Sequence, residues 1–294
     1  MGENLSAFLT EKEKIISEEL VRKVNGLSIP SRLKDSMLYS IKAGGKRLRP
    51  LLMIASCESY HGTYQQVLSV SIALEMIHTY SLIHDDLPAM DDDHYRRGQP
   101  TNHRVFDEAT AILAGDALLT YSFEVITDET QLSNEQKVYI LKRLAEASGP
   151  KGMVAGQSLD MAAENKQITL TELEEIHHLK TGKLLTFALE IGAYIGGASV
   201  KQIEEIRTFA YYVGLIFQVQ DDILDVSGDP DKIGKPIGSD ESNLKSTYPK
   251  LLGLEGAIKK KKEYVDLAKA ALIKADVRTN ILGDFINYLN SRDV

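Results

Sequence analysis

Apolar residues recur at three- and four-residue spacing along most of the chain, the period of a helix with one buried face. The clearest run, Val67, Val70, Leu74, Ile77 and Ile83, follows Thr63. Helix starts are marked by pairs in which Ser or Thr precedes Glu or Gln by three positions, so that each side chain satisfies a free backbone donor of the first turn. Thr10 with Glu13, Thr63 with Gln66, Ser133 with Gln136, Thr169 with Glu172 and Ser199 with Gln202 each open such a run. Period-two alternation bounded by turn residues is hard to find, so no sheet is predicted. Gly44-Gly45, Gly149-Pro150, Gly196-Gly197 and the stretch 228–242 punctuate the helices without forming a Pro/Ser-rich linker, and no repeat of solenoid length is present. The pattern predicts an all-α chain, with residues 1–294 forming one domain of about ten helices.

Composition narrows the function classes. With 294 residues, 43% apolar and 26% charged, the chain can bury a large core. Its 34 basic and 42 acidic residues give a net charge of −8, which opposes general nucleic-acid binding. The single cysteine, Cys57, rules out an internal disulfide framework and a Cys-rich zinc site, and predicts a reducing, cytoplasmic compartment. The charged N-terminus has no apolar core of a secretory signal. No membrane span is predicted: the apolar stretch 184–198 is interrupted by Glu190, and 210–219 is too short. The run Lys259 to Lys262 is read as a solvated helix face.

Two acidic clusters change the picture. The segment from Ile83 to Asp93 holds Asp85, Asp86, Asp91, Asp92 and Asp93 directly after an apolar helix. Pro88 disfavours helical geometry at Leu87, so the helix should stop or kink there and return Asp91 toward Asp85 and Asp86. Asp221, Asp222 and Asp225 form the second cluster, with Asp221 and Asp225 one turn apart on a shared helix face. A solvated acidic helix end explains either cluster alone. Both lie at the C-terminal end of an apolar helix, where the helix dipole adds to the repulsion, and a divalent cation relieves both. Carboxylates without companion Cys or paired His favour magnesium, which completes its shell with water and phosphate oxygens.

Phosphate calls for cations despite the acidic total. Lys42, Lys46, Arg47 and Arg49 gather around Gly44-Gly45, and Arg96 and Arg97 follow the first acidic cluster. Lys180-Thr181, Lys235 and Lys245 add further positive charge, although each lysine alone reads first as a surface residue. No Walker motif accounts for them.

Taken together, Asp85-Asp86 with Asp91, Arg96-Arg97-Gly98, and Asp221-Asp222 with Asp225 resemble the two aspartate-rich motifs of the trans-isoprenyl diphosphate synthases. The resemblance extends to Gly44-Gly45-Lys46-Arg47-Leu48-Arg49-Pro50, Lys180-Thr181, Phe217-Gln218 and Gly234-Lys235, in the same order over roughly positions 40 to 250. The four residues between Asp86 and Asp91 are similar to the bacterial short-chain type that makes farnesyl diphosphate. The resemblance implies an all-α isoprenoid synthase fold around a deep central cavity, usually in a homodimer. It implies that Asp85, Asp91 and Asp221 hold magnesium, three ions per site, with Asp86, Asp222 and Asp225 in support. It further implies that Arg96, Lys180, Lys235 and Lys245 grip the allylic diphosphate, that Gln218 and Thr181 lie near the reacting carbon, and that Lys46, Arg49, His78 and Arg97 bind isopentenyl diphosphate. His78 read by itself is more simply a helix histidine hydrogen-bonded in the core.

The implied reaction is ionisation of dimethylallyl and then geranyl diphosphate, attack by the isopentenyl double bond, and proton loss, giving farnesyl diphosphate. The released diphosphate can serve as base, which fits the lack of a Glu/His base motif. Ser81, four residues before Asp85, lies one turn deeper on the same face, and Tyr80 beside it would floor the cavity and set product length, although Tyr80 also reads as an ordinary core residue. A geranylgeranyl synthase is the nearest alternative. A terpene cyclase would not need Lys46, Arg49 and Arg97, and a noncatalytic partner subunit would be expected to lose one acidic cluster.

Overall fold

The computed structural model describes residues 3–227 and 246–290, and these are almost entirely helical. The helices are α1 (Glu3–Asn25), α2 (Ser31–Lys42), α3 (Leu48–Glu58), α4 (Tyr64–Asp85), α5 (Asn102–Val105), α6 (Glu108–Thr127), α7 (Asn134–Ser148), α8 (Met153–Ala163), α9 (Leu170–His177), α10 (Lys183–Gly196), α11 (Val200–Ser227), α12 (Tyr248–Lys274) and α13 (Ile281–Asn290). A π-helical turn, His178–Gly182, joins α9 to α10. The strand-free expectation has one exception, an antiparallel ribbon of two residues a side, β1 (Tyr95–Arg96) and β2 (Gln99–Pro100). Arg97 and Gly98, both at positive φ, form its turn, the backbone twist that a two-residue hairpin favours.

Three of the predicted capping boxes are seen to close as drawn. Thr169 exchanges bonds with Glu172, Ser133 with Gln136, and Ser199 with Gln202. Thr63 immediately precedes α4. Thr10 does not start a helix: it lies inside α1, and its hydroxyl donates to the carbonyl of Ser6 one turn back. A threonine within a helix satisfies its hydroxyl in this way, and the apolar period of Leu5, Phe8, Ile16, Leu20 and Val24 carries α1 through it.

The chain divides into two compact units whose boundaries fall inside α1, α3 and α7 and at the start of α4, one built from Ser6–Ile54 and Tyr64–Leu141 and the other from Ala55–Thr63 and Lys142 onward with the extreme N-terminus. The core of the first is α4, apolar on all sides, with Val67, Val70, Ile72, Leu74, Met76, Ile77 and Ile83 buried. It packs against α6 through Ala111, Ala114, Leu118 and Ile126. A charged pair enters this core: Glu75 accepts from Arg47 at 2.8 Å, with both side chains 2% exposed. In the second unit α11 packs on α10 and α12, burying Ile206, Phe209, Val213, Ile216, Ala257, Val265 and Ala268. Glu190, 0% exposed, is buried there too and accepts a two-pronged contact from Arg143 at 2.8 and 2.6 Å and a third bond from Arg207 at 2.7 Å.

The longest apolar helices are not the two stretches singled out in the sequence. Helices α4 and α6 are long and apolar enough to cross a bilayer by length and composition, a test that buried core helices also pass. The apolar stretches weighed in the sequence were α10 and α11. The lysine run is also only partly solvated, because Lys261 donates to Gln220 at 2.7 Å and to the carbonyl of Asn290 at 3.1 Å.

Candidate active site

In the first unit, α4 ends at Asp85, two residues before the position Pro88 restricts. The chain then turns back on itself. The amide of Asp91 donates to the carbonyl of Asp85 at 2.9 Å, and those of Met90 and Asp92 donate to the carbonyl of Leu87 at 2.8 and 3.2 Å. The predicted return of Asp91 to the helix end is therefore present in the backbone.

Asp86 has a different task from its neighbours. It is 3% exposed, and its Oδ1 accepts from Arg96 Nε at 2.6 Å, while Arg96 Nη2 reaches Asp93 at 3.2 Å. Burial pushes the Asp86 carboxyl up, and the Arg96 bond opposes that shift. Arg96 is thus committed to the acidic loop, aimed there by the ribbon turn. Next to it, Arg97 donates to the carbonyl of Gly44. Gly45 makes this possible, because a Cβ there would lie 2.5 Å from the Arg97 guanidinium.

Arg47, in the same basic segment as Lys46 and Arg49, points inward to Glu75 and the carbonyl of Ile41, so it serves the core. His78, one helix turn from Glu75, is held well below the usual histidine range by burial and by the positive charges of Arg49, Arg97, Arg96 and Arg47. Of these four guanidinium groups, that of Arg47 is answered by Glu75 and that of Arg96 by Asp86 and Asp93. Tyr80 is 7% exposed, and Ser81 caps the turn below it by donating to the carbonyl of His78 at 2.9 Å.

In the second unit the π turn carries Lys180 and Thr181. A π turn adds a residue to the helix and re-aims the side chains it carries. Lys180 Nζ binds Asp160 at 2.6 Å, and the Thr181 hydroxyl donates to Gln218 Oε1 at 2.7 Å, pairing the two residues assigned to the reacting carbon. Asp222 is buried and accepts from the amide of Tyr248 at 2.9 Å, which caps the start of α12. Asp225 is also buried, and Asp221 is partly exposed on the same helix. Lys235 and Lys245 lie outside the described residues. Sequence reasoning missed Asp160, since nothing local marks a carboxylate in α8 as the partner of a lysine twenty positions later.

Among the described residues no three acidic, His or Cys side chains converge tightly enough to hold a metal by themselves. The donors at Asp85 and Asp91 in the first unit, and at Asp221 and Asp225 in the second, are all hard oxygens. In each unit that chemistry fits magnesium, which keeps water and phosphate in its shell, and does not fit a closed structural metal.

The polyprenyl synthetase family model matches residues 30–279. The chain is 49% identical over 292 residues to the farnesyl diphosphate synthase of Geobacillus stearothermophilus, covering 99% of this chain and 98% of that one. It is 48% identical to the farnesyl diphosphate synthase of Bacillus subtilis over the full length of both, and 44% identical to a geranylgeranyl diphosphate synthase of Cyanophora paradoxa over 93% of this chain and 91% of that one. Among solved structures it is similar to an FPP/GFPP synthase from Zymomonas mobilis, with 37% identity, a TM-score of 0.85, and 99% and 100% of the two chains covered. With the acidic reversal, the arginine ribbon and the paired Thr181 and Gln218 all present in a helical chain, the protein belongs to the polyprenyl synthetase family.

Proposed function

We propose that the chain is a magnesium-dependent prenyltransferase that condenses isopentenyl diphosphate with dimethylallyl and then geranyl diphosphate to give farnesyl diphosphate. The observation that carries this reading is the reversal of Asp91 onto Asp85 beside Arg96 and Arg97, which sets oxygen donors for a cation next to donors for phosphate. When bound, magnesium at Asp85, Asp91 and Asp221, with Asp225 behind, supplies positive charge to the departing diphosphate. Both acidic clusters act on one diphosphate in this reading, with three ions per site. Lys180, oriented by Asp160, and Lys235 and Lys245 grip the same leaving group, while Asp86 and Asp222 hold Arg96 and α12 in place. Thr181 and Gln218 present oxygen dipoles to the allylic cation. Lys46, Arg49, His78 and Arg97 hold isopentenyl diphosphate, whose double bond attacks that cation, and the released diphosphate takes the proton. Tyr80 closes the apolar cavity at a fifteen-carbon product, with Ser81 leaving room beside it.

Farnesyl diphosphate is favoured because the farnesyl synthases match at 49% and 48%. The second reading, a twenty-carbon product, draws on the 44% match. The test is incubation with isopentenyl and dimethylallyl diphosphates, with and without magnesium, followed by chromatography of the dephosphorylated alcohols. Metal-dependent farnesol is the expected result, and no elongation at all would overturn the assignment.

We further propose a cytoplasmic homodimer. Its docking face is α6, where Ile112 is 43% and Leu113 59% exposed beside an apolar recess of about 540 Å³ that includes Leu33 and Ala117. A second copy of the chain covers this face, so Leu113→Glu should halve the mass measured by light scattering.

A further inference from the structure

We infer that His84, together with the glycine that seats it, governs product length by fixing the Tyr80 ring. The inference rests on the prenyltransferase reading above and adds to it two residues that no sequence motif singled out.

His84 lies one turn after Tyr80 on α4, so the two side chains share a face. Their rings meet edge to face, 5.7 Å apart and at 79°. On its other side the imidazole enters the backbone of α6: Nε2 lies 3.1 Å from the carbonyl oxygen of Ile112 and 3.9 Å from Asp116 Oδ1. A methyl group at Gly115 would lie 2.5 Å from His84 Cδ2 and closer still to Nε2. The imidazole therefore fills the volume where α6 would otherwise carry a side chain.

A glycine within a helix is less stable there than alanine. Here that cost falls at the position where α6 admits this one ring. The imidazole is an unusual filler for an apolar helix contact, because a leucine would pack without needing a partner. What it adds is orientation, through an N–H aimed at a fixed carbonyl, and so a rigid edge against Tyr80. With that edge in place the phenol cannot swing toward α6. Once the edge is removed, the ring can move into the vacated space and deepen the cavity whose floor it forms.

The experiment uses the full-length enzyme with both substrates and magnesium, and reads the ratio of twenty- to fifteen-carbon alcohols together with the thermal midpoint. His84→Ala and Gly115→Ala should each raise the ratio at least tenfold while elongation persists. Gly115→Ala should lower the midpoint by several degrees in the native background and by almost nothing in the His84→Ala background, where the overlap is gone. In a Tyr80→Ala background, His84→Ala should change the ratio no further. Unchanged ratios in elongating single variants, equal destabilisation by Gly115→Ala with and without His84, or an added shift beyond Tyr80→Ala would each overturn the inference. If Gly115→Ala alone does not fold, His84→Ala and the double variant decide. Failure of the native enzyme to elongate would instead remove the functional reading, and the thermal cycle would still test the seat.

Discussion

Glu75 is the most exacting single side chain in the first unit, because its carboxylate answers a guanidinium that has no access to water. Glu75→Ala would leave Arg47 buried and uncompensated, and removal of one member of such a pair costs about 3–5 kcal/mol. Denaturant unfolding should show that loss as a lower midpoint. His177 makes a second residue-scale prediction. Burial lowers its pKa to about 4, the Tyr248 ring stacks on it at 5.8 Å, and its Nε2 is buried without a hydrogen-bond partner. The folded state excludes a proton that the unfolded chain takes up below about pH 6.5. Stability is therefore full above that pH and falls as pH drops toward 4, by up to roughly 3 kcal/mol from this residue. Thermal midpoints measured from neutral pH downward should decline, and His177→Gln should flatten the decline. The neighbouring His178, also lowered to about 4, contributes in the same direction.

Elements hold these residues in register. The reversal after α4 depends on Pro88, which stops the helix from continuing into Asp91. Pro88→Ala would let α4 extend and carry Asp91 away from Asp85. Magnesium-dependent turnover should fall at least tenfold with little change in thermal midpoint, since the loop contributes few buried contacts. The π turn plays the same part in the second unit, directing Lys180 to Asp160 and Thr181 to Gln218. At its approach, Thr169→Ala would remove the bond that the Thr169 hydroxyl accepts from the Glu172 amide, leave the one its own backbone amide donates to the Glu172 carboxylate, and cost about 1 kcal/mol, measurable by chemical denaturation.

At the scale of the whole molecule, the proposed function requires the two acidic clusters to serve one leaving group. Asp85→Asn and Asp221→Asn should each lower kcat by about 10²–10³. If they act as one device, the double variant should fall far short of the product of the two effects. Independent, multiplying losses would separate the clusters. A steady-state comparison of the four enzymes decides between these outcomes.

Much of this was legible in the chain itself. Helical periods, three capping boxes and the break at Pro88 arise from interactions within about four residues, and these are written in sequence order. The motif residues followed from residue types whose clustering is costly unless a ligand answers it. Choice of partner was not legible. Sequence reasoning grouped Arg47 with the phosphate-facing cations, yet burial sends it to Glu75. It placed Asp86 and Asp222 among the metal supports, and the structure shows how each is engaged, one on Arg96 and the other at the first turn of α12. Thr10 looked like a cap until α1 ran through it. Local sequence determined where helices begin, where they stop and which charges needed an answer. Only the tertiary structure decided which group answers which, because a buried charge takes the partner that packing brings within 3 Å, however distant that partner is along the chain.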